Sequence, residues 1–391
     1  MSGHILFLYI SVRENRYFLF LTLHILLFRN GGLSLSNLLD YIAWRGDLSF
    51  AASPFNEVDN LLFSMLSFVD FGGIVPEGVF PGPVKLGDAS RAFFDMHPEG
   101  IDFGVLIPAV TNTLFRQAAA CRRYREVYIT CYRSELDEET GKQFAAVTFL
   151  LPDNSLFLAF RGTDDTLVGW HEDFQLSFLS PTPSQQAAVL YVEEMGGLFR
   201  GDIRLGGHSK GGNLAIYGAV YAKDSIRRRI LRAYSNDGPG FTEAFVRSAA
   251  YAAMEDRLLT LLPQSSIVGM LLEQSGPYEV VRSTHTRLFQ HDPFSWQVLG
   301  PGFEHLPALT PEAVEGGERI RRWLAQMGED DRRLFTGVFF RVLEVNDART
   351  LTDLTEGKLK TITAMIRTVR ELPADTRQQM LGFLRLLALS K

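Results

Sequence analysis

The sequence predicts an α/β protein with a mixed, mostly parallel β-sheet that carries helices on both faces. Residues 126–161 contain three β-rich runs separated by short polar turns, which is typical of an antiparallel meander. Residues 184–282 then alternate between strand-like and helical segments, which indicates a parallel sheet covered by helices. Helical periodicity on either side of these blocks predicts N-terminal and C-terminal helical additions.

Composition excludes several classes of protein. The chain has 391 residues, of which 46% are hydrophobic and 21% charged, so it is not globally disordered. A net charge of −6 provides no basic surface for a nucleic-acid backbone, and we expect no nucleic-acid partner. Cys121 and Cys131 cannot form a disulfide framework for a chain of this size. They favour reduced thiols and a cytoplasmic location.

Residues 1–33 form an apolar leader of doubtful status. Their second apolar run, residues 17–28, is shorter than the roughly 20 residues of a transmembrane helix. Charges separate the two runs and no small-residue cleavage site follows, so a secretory signal is disfavoured. We expect no stable membrane span. An extra hairpin or helix, a membrane-associated segment and a misassigned start all remain open.

The main domain is expected over residues 34–309, and it begins with helices. Helical spacing with a Ser cap predicts a helix over residues 36–44, and Asn56 is expected to cap a second helix. Abundant Gly and Pro predict a loop over residues 71–90. The three runs of the meander are residues 126–133, 144–151 and 155–160.

The alternating block supplies the parallel part of the sheet. Helices are predicted over residues 184–200, 211–223 and 242–254, and strands over residues 203–205, 230–235, 258–262 and 278–282. Thr310 and Pro311 then form a helix start, with a cap followed by Pro at the first position. We expect residues 310–391 to be a helical C-terminal extension that packs on the core.

One motif carries a specific chemical prediction. The segment Gly207-His208-Ser209-Lys210-Gly211 matches the G-x-S-x-G nucleophile elbow, and it lies between an apolar strand and an amphipathic helix as that elbow requires. The serine occupies a strained turn, and the glycines two residues before and after it allow close backbone approach. We therefore predict Ser209 as a nucleophile. A glycine-rich nucleotide-binding turn is disfavoured, because neither G-x-G-x-x-G nor G-x-x-x-x-G-K-[ST] is present.

A serine nucleophile needs a general base that is oriented by an acid. The candidate bases after Ser209 are His285, His291 and His305. His291 is preferred because it lies in the loop after the last predicted strand. Folds that carry a G-x-S-x-G elbow usually place their catalytic histidine in that loop. His285 is the fallback.

The acid is predicted to be Asp237. It lies at the carboxyl end of the strand that follows the nucleophile helix, within reach of the site. The alternative is an ordinary turn residue, since Asp237 precedes Gly238. Asp292 is adjacent to His291 in sequence, which makes it a poor partner for orienting that ring.

A second strand end supplies oxyanion donors. Thr163 follows Phe160-Arg161-Gly162 and is expected to offer its N–H or hydroxyl, alongside the N–H of Lys210. The alternative is a plain turn after an edge strand. The nearby segment His171-Glu172-Asp173 lacks H-E-x-x-H, so we predict a hydrogen-bonded structural cluster and no metal or cofactor.

These motifs resemble a known group of enzymes. The RGT segment ending at Thr163, the downstream Trp170 and Asp173, and the GHSKGG segment look like the class 3 lipase branch of the α/β-hydrolases. More closely, residues 34–345 are similar to a bacterial family of uncharacterised α/β-hydrolase-like proteins. The blocks that carry this similarity are residues 37–41, 44–47, 55–59, 169–174, 235–241 and 290–293. The resemblance implies an α/β-hydrolase fold, lipase- or esterase-like activity and an oxyanion role for Thr163.

Two departures from the lipases affect what the resemblance implies. Lys210 replaces the usual apolar residue after the serine, which weakens the expectation of a lipid substrate. The usual acid of class 3 lipases would fall in residues 263–266, which contain no carboxylate, so Asp237 would have to replace it.

The sequence therefore predicts a serine hydrolase that cleaves a small carboxylic ester or lipid-like substrate through Ser209, His291 and Asp237. The alternative is a non-catalytic binding or scaffold protein that retains the fold. Residues 164–183 are expected to cover the cleft. An apolar acyl pocket is expected to include Phe160, Phe174, Phe178, Phe241, Phe289 and Phe294.

Overall fold

A nine-stranded mixed sheet forms the centre of the computed structural model, which describes residues 8–12, 15–19, 36–274, 276–344, 348–355 and 358–389. The strands in chain order are β1 (Leu8–Val12), β2 (Asn15–Leu19), β3 (Val84–Lys85), β4 (Tyr128–Asp137), β5 (Lys142–Leu150), β6 (Leu156–Phe160), β7 (Ile203–His208), β8 (Ile230–Asn236), β9 (Leu258–Pro263), β10 (Tyr278–Val281), β11 (Val298–Leu299), β12 (Gly302–Phe303) and β13 (His305–Leu306).

Helices flank the sheet and continue beyond it. In chain order they are α1 (Leu38–Arg45), α2 (Glu57–Leu66), α3 (Leu86–Met96), α4 (Val110–Ala120), α5 (Leu167–Gln175), α6 (Pro183–Leu198), α7 (Lys210–Tyr221), α8 (Asp224–Arg227), α9 (Glu243–Val246), α10 (Ala249–Ala252), α11 (Pro311–Ala325), α12 (Glu329–Leu343), α13 (Leu351–Thr355), α14 (Lys358–Glu371) and α15 (Ala374–Leu389).

The strand order confirms the predicted fold class. The sheet runs β13-β10-β9-β8-β7-β6-β5-β4-β3. Pairs from β3 to β6 are antiparallel, pairs from β6 to β10 are parallel, and β13 closes the edge antiparallel to β10. An antiparallel meander thus leads into a parallel block covered by helices, and the chain has an α/β-hydrolase fold.

Strand β6 shows why this sheet is buried on both faces. All five of its residues are buried, as expected for a central strand under helices on each side. Phe157 and Ala159 join an apolar cluster with α2 and α4, whereas Leu158 and its same-face neighbours join a cluster with α6 and α7. Two separate cores therefore hold the sheet between its helical layers.

Several element boundaries differ from the predictions. Asn37, rather than Ser36, caps α1, because its side chain accepts from the backbone of the first turn while Asp40 returns the bond. Helix α3 begins inside the predicted loop at residues 71–90, since the Gly- and Pro-rich composition ends at Pro83. The helix predicted over residues 242–254 is broken into α9 and α10, each with its own side-chain cap.

The two chain ends lie outside the nine-stranded sheet. In the leader, β1 and β2 form an antiparallel pair, and the remaining positions of residues 1–33 fall outside the described residues. Among the residues that are described, no helix is long and apolar enough to cross a bilayer. Thr310 caps α11 with Pro311 at its first position, as predicted. Helices α11–α15 form the C-terminal extension, and its boundary at residue 310 remains a prediction.

Candidate active site

A sharp turn between β7 and α7 presents Ser209. Its backbone has φ 58° and ψ −134°, a strained conformation that residues with a side chain rarely adopt. The Ser209 N–H donates to the Asn236 carbonyl at 3.0 Å, and the Gly212 N–H donates to the Ser209 carbonyl at 2.9 Å. Ser209 is partly exposed. This is the backbone geometry of a nucleophile elbow.

Two glycines make this turn sterically feasible. A Cβ at Gly207 would lie 2.2 Å from the carbonyl carbon of Gly211. A Cβ at Gly211 would lie 2.1 Å from the carbonyl oxygen of Phe160. Both contacts are with backbone atoms that have no room to move, so neither position tolerates a side chain.

His291 and Asp237 meet at the carboxyl edge of the sheet. Asp237 directly follows β8 and is 1% exposed, and its Oδ2 lies 2.7 Å from His291 Nδ1. A neutral ring that donates from Nδ1 leaves Nε2 free to accept a proton. Within the part of the chain that the structure describes, no hydrogen bond joins the Ser209 hydroxyl to His291. Such catalytic contacts often shorten only when substrate binds.

The loop after β9 contributes a hydroxyl where a carboxylate was expected from the lipases. The Ser266 hydroxyl and the Gly269 N–H both donate to Asp237 Oδ1, and the Gly269 bond is 3.2 Å long. The Asp237 N–H donates to the Leu261 carbonyl at 2.8 Å. Asp237 therefore lies between the ends of β8 and β9 with both carboxylate oxygens engaged. Sequence reasoning missed Ser266, because it searched this loop only for an acid.

The other two candidate bases do not contact Asp237. His285 is about half exposed, and its Nδ1 lies 3.1 Å from the Phe289 carbonyl. His305 lies between Glu57 and Glu279, at nitrogen–oxygen distances of 2.8 and 3.2 Å. Among the described residues, Glu57, Glu279 and His305 form a group whose possible metal-ligand atoms lie within 4.8 Å of one another. His305 Nε2 is hydrogen-bonded to Glu57, and both Glu279 and His305 are exposed, so we assign no metal to this group.

His208 is a second histidine at the site that the sequence analysis did not single out. Its Nε2 lies 2.8 Å from the His291 carbonyl, and the two ring centroids are 4.4 Å apart. Burial, together with the neighbouring His291 ring, lowers the pKa of His208 well below its ordinary value. The neutral ring donates from Nε2 and so fixes the main chain of His291. The sequence feature that could have identified His208 is its position directly before Ser209.

Two groups can face a developing oxyanion. The Lys210 N–H opens α7, where first-turn N–H groups have no acceptor within the helix. Gly162 packs against Ser209, since a Cβ built there would lie 3.2 Å from the Ser209 Cβ. The hydroxyl of the next residue, Thr163, donates to Asp173 Oδ2 at 2.6 Å. The Thr163 N–H has no hydrogen-bond partner among the residues that the structure describes.

Asp173 itself lies in an unusual environment. Burial raises its pKa to about 6, despite the opposing charge of Lys210. Its Oδ1 is inaccessible to solvent and has no hydrogen-bond partner among the described residues. The carboxyl group therefore contacts residues 161–166, which we call the oxyanion loop, chiefly through the Thr163 hydroxyl.

The side chain of Lys210 points into the protein rather than into the cleft. Lys210 is 1% exposed, and its Nζ lies 3.0 Å from Glu172 Oε2 and 2.6 Å from Gln143 Oε1. The Ser184 N–H also donates to Glu172, at 2.8 Å. Burial alone would raise the pKa of Glu172, but the Lys210 charge and the Ser184 bonds lower it. The predicted structural cluster around Glu172 is confirmed, and the cationic Lys210 does not line the substrate side.

A cleft of about 400 Å³ opens beside the oxyanion loop. Its volume falls within the range of small-molecule sites. Phe68 lines the cleft, and a Cβ at Gly162 would lie 3.2 Å from the Phe68 Cζ and 3.2 Å from the Ser209 Cβ. The Phe68 ring therefore lies near the Ser209 turn, although Ser209 itself is not among the described residues that line the cleft.

The aromatic lining of this cleft differs from the expected acyl pocket. Phe68 and Phe103 line it, and none of the six predicted phenylalanines does. Phe160 is buried in the core, and Phe241 stacks on Phe245 at 4.2 Å. Phe174 packs against α12. Proximity to a motif in sequence did not determine side-chain direction: Phe160 points into the core from β6, and Phe174 points from α5 towards α12.

Comparison with known proteins places this architecture in a family. The Mbeg1-like family model matches residues 118–341, more than half of the chain and all of the residues discussed at the elbow and its partners. The chain belongs to the Mbeg1-like family. This lipase-like family agrees with the lipase resemblance of the motifs, and no curated protein matches the chain.

Solved structures similar to this Mbeg1-like chain include two lipases. The Rhizomucor miehei lipase propeptide complex is 14% identical, with a TM-score of 0.35, over 66% of this chain and 75% of that chain. The M37 lipase is 13% identical, with a TM-score of 0.34, over 79% of this chain and 100% of that chain.

Proposed function

We propose that the protein is a serine hydrolase that cleaves carboxylic esters. The observation that carries the proposal is the combination of a strained elbow at Ser209 with the pair of His291 and Asp237 at the same sheet edge. A strained serine conformation persists only where the surrounding fold stabilises it, and such strain is concentrated at functional sites. The lipase-like family supports the same class of chemistry.

In the proposed mechanism, Ser209 Oγ attacks the ester carbonyl carbon while His291 Nε2 accepts the hydroxyl proton. Asp237 accepts the hydrogen bond from Nδ1, which fixes the reactive tautomer and stabilises the imidazolium. The N–H groups of Lys210 and Thr163 stabilise the oxyanion. His291 then protonates the departing alcohol. A water attacks the acyl-enzyme, with His291 as the base, to release the acid and restore Ser209.

We propose that the cleft beside Phe68 binds part of this ester. It lies beside the oxyanion loop and combines apolar side chains with polar groups from that loop. A small ester fits its volume. The burial of the Lys210 charge removes the main argument from the sequence against an apolar substrate. The two unpaired cysteines support a cytoplasmic location.

One observation favours the second candidate, a non-catalytic binding protein with this fold. The Ser209 hydroxyl makes no hydrogen bond to His291 across the described residues. A protein that has lost catalysis would keep the turn and the buried Asp237 for stability alone. The two candidates make opposite predictions for ester turnover.

The test is a panel of p-nitrophenyl esters of increasing acyl length, assayed with wild type and Ser209→Ala. We expect wild-type turnover, with loss of at least about 10³-fold in kcat for Ser209→Ala because the covalent route is removed. Ser225→Ala, an exposed serine on α8, is the matched control and should retain wild-type rates. Equal, background-level rates for wild type and Ser209→Ala on every ester would favour the binding protein.

A further inference from the structure

Helix α5 links the oxyanion loop to the nucleophile helix. It begins four residues after Thr163. One side of it faces the site: Asp173 accepts the Thr163 hydroxyl at 2.6 Å, and Glu172 pairs with Lys210 at 3.0 Å. Any displacement of α5 therefore moves both residues whose N–H groups are proposed to hold the oxyanion.

The C-terminal extension forms backbone hydrogen bonds with the start of α5. The Leu167 N–H donates to the Arg349 carbonyl at 2.8 Å, and the Leu351 N–H donates to the Asp165 carbonyl at 2.9 Å. Between these bonds, Thr166 and Thr350 form an antiparallel bridge. We call residues 348–352 the strap.

The strap also reaches the cleft. The Thr352 N–H donates to Asp165 Oδ2 at 3.1 Å, and the Val105 N–H donates to Oδ1 of the same carboxylate at 3.0 Å. Thr350 and Thr352 line the cleft of about 400 Å³ together with residues of the oxyanion loop. The extension thus provides part of the wall of this cleft, beside the oxyanion loop.

A second contact holds the other end of α5. Phe174 stacks on Phe339 of α12 with ring centroids 5.3 Å apart, and the His171 ring lies 5.0 Å from that of Phe340. The Arg332 guanidinium donates to the Ser177 carbonyl just beyond the helix. The extension therefore contacts α5 at both ends.

We propose that the C-terminal extension is a working part of the active site, in which the strap positions the oxyanion loop and closes one wall of the substrate cleft. The proposal rests on the hydrolase function proposed above. Leu351 is a positioning residue, because its N–H holds the segment that follows Thr163 and does not touch the substrate. Residues 164–183, expected from the sequence to cover the cleft, are then a fixed wall rather than a free lid.

The fold allows one strap hydrogen bond to be removed with little other change. Leu351 is the first residue of α13, and Thr350 precedes it as the cap, with its hydroxyl accepting from the Asp353 N–H at 3.0 Å. Proline is well tolerated at the first helical position, and it has no N–H. Leu351→Pro therefore deletes the bond to Asp165. Leu351→Ala is the matched control, because it loses the side chain and keeps the N–H.

The measurements are ester kinetics, thermal unfolding and backbone hydrogen exchange on the full-length protein. We expect Leu351→Pro to lower kcat by about 3- to 10-fold relative to Leu351→Ala, the effect of one backbone hydrogen bond, with KM changed less than twofold. Hydrogen exchange of residues 164–177 should accelerate in the proline variant. The midpoint of thermal unfolding should be the same in both variants within a few degrees.

Three outcomes would count against these proposals, and they are distinguishable. A wild type that turns over no ester overturns the hydrolase proposal and with it the role of the strap in turnover. An active wild type with equal kcat in Leu351→Pro and Leu351→Ala overturns the strap proposal alone. A fall in kcat that is matched by a large fall in unfolding temperature, with exchange accelerated throughout the sheet, indicates general destabilisation and also overturns it.

A second variant tests the other end of α5. Phe340→Leu keeps an apolar side chain in α12 but removes the ring that packs on His171. We expect a fall in kcat of about 2- to 5-fold without a change in KM, since the contact is weaker than a backbone hydrogen bond. Wild-type kcat in this variant as well as in Leu351→Pro would exclude any positioning role for the extension.

Discussion

His291 is held at two points, at its ring by Asp237 and at its main chain by His208. Asp237 accepts from Nδ1 at 2.7 Å, while His208 donates to the main-chain carbonyl at 2.8 Å. Because burial keeps His208 neutral, no second positive charge opposes the imidazolium that would form on His291. This arrangement agrees with the proposed mechanism, in which His291 transfers the proton and His208 only positions it.

Asp237→Asn tests the orienting role of this carboxylate. An amide at this position can donate to Nδ1, which would favour the wrong tautomer of His291. We expect kcat for ester hydrolysis at neutral pH to fall by about 10³- to 10⁴-fold, with the fold intact by circular dichroism.

Asp292→Asn is the matched control for that variant. Asp292 is the next residue to His291, and burial raises its pKa, but its Oδ1 accepts from the Phe294 N–H. We expect less than about a tenfold loss of kcat from Asp292→Asn. Equal losses in the two variants would show that neither carboxylate orients the ring specifically.

At the scale of elements, the buried pair of Lys210 and Glu172 joins the nucleophile helix to α5. Both side chains are almost completely buried, and both make further hydrogen bonds that compensate for lost hydration. A buried ion pair adds little net stability compared with an apolar pair, yet removal of one partner leaves an uncompensated charge. Its role here is to fix how α5 and α7 approach each other.

A double-mutant cycle measures this link. We expect Lys210→Met and Glu172→Gln each to lower the free energy of unfolding by about 3–5 kcal/mol, and the double variant to lose less than their sum by about 1–3 kcal/mol. Urea unfolding gives these values. The partly exposed pair of Lys142 and Glu135 is the control, and its coupling should be much smaller. Additive effects at Lys210 and Glu172 would contradict the proposed link.

Elements were predictable where a local pattern is strong. Alternating apolar runs with short turns identified β4–β6, and the residue types around Asn56 and Thr310 identified helix starts. Helix α5 was missed because its sequence, Leu167–Gln175, has no clear apolar stripe. It is stabilised instead by long-range contacts, with Lys210 on one side and α12 on the other, which sequence periodicity does not encode.

At the scale of the whole molecule, the topology explains why site residues distant in sequence could be predicted together. Parallel strands place their carboxyl ends at one edge, so Ser209 after β7 and Asp237 after β8 must be neighbours. Side-chain direction was not predictable in the same way. Lys210 was expected to affect the substrate side, but it points into the core because Glu172 and Gln143 offer it buried acceptors.

The extension was predicted to be helical, but its contact with the oxyanion loop was not predictable. The strap meets residues 165–167 through backbone groups, which carry no residue-specific signal. Under the strap proposal, the catalytic unit extends beyond residue 309, the end of the domain predicted from the sequence.

The most direct test of the central claim is labelling by a fluorophosphonate probe, which forms a covalent bond only with an activated serine. The full-length wild type, Ser209→Ala and Ser225→Ala are treated side by side, and the modified residue is located by peptide mass spectrometry. We predict labelling of wild type and Ser225→Ala on Ser209, and none of Ser209→Ala. Absence of labelling in folded wild type, or equal labelling of Ser209→Ala, would contradict the assignment of Ser209 as a catalytic nucleophile.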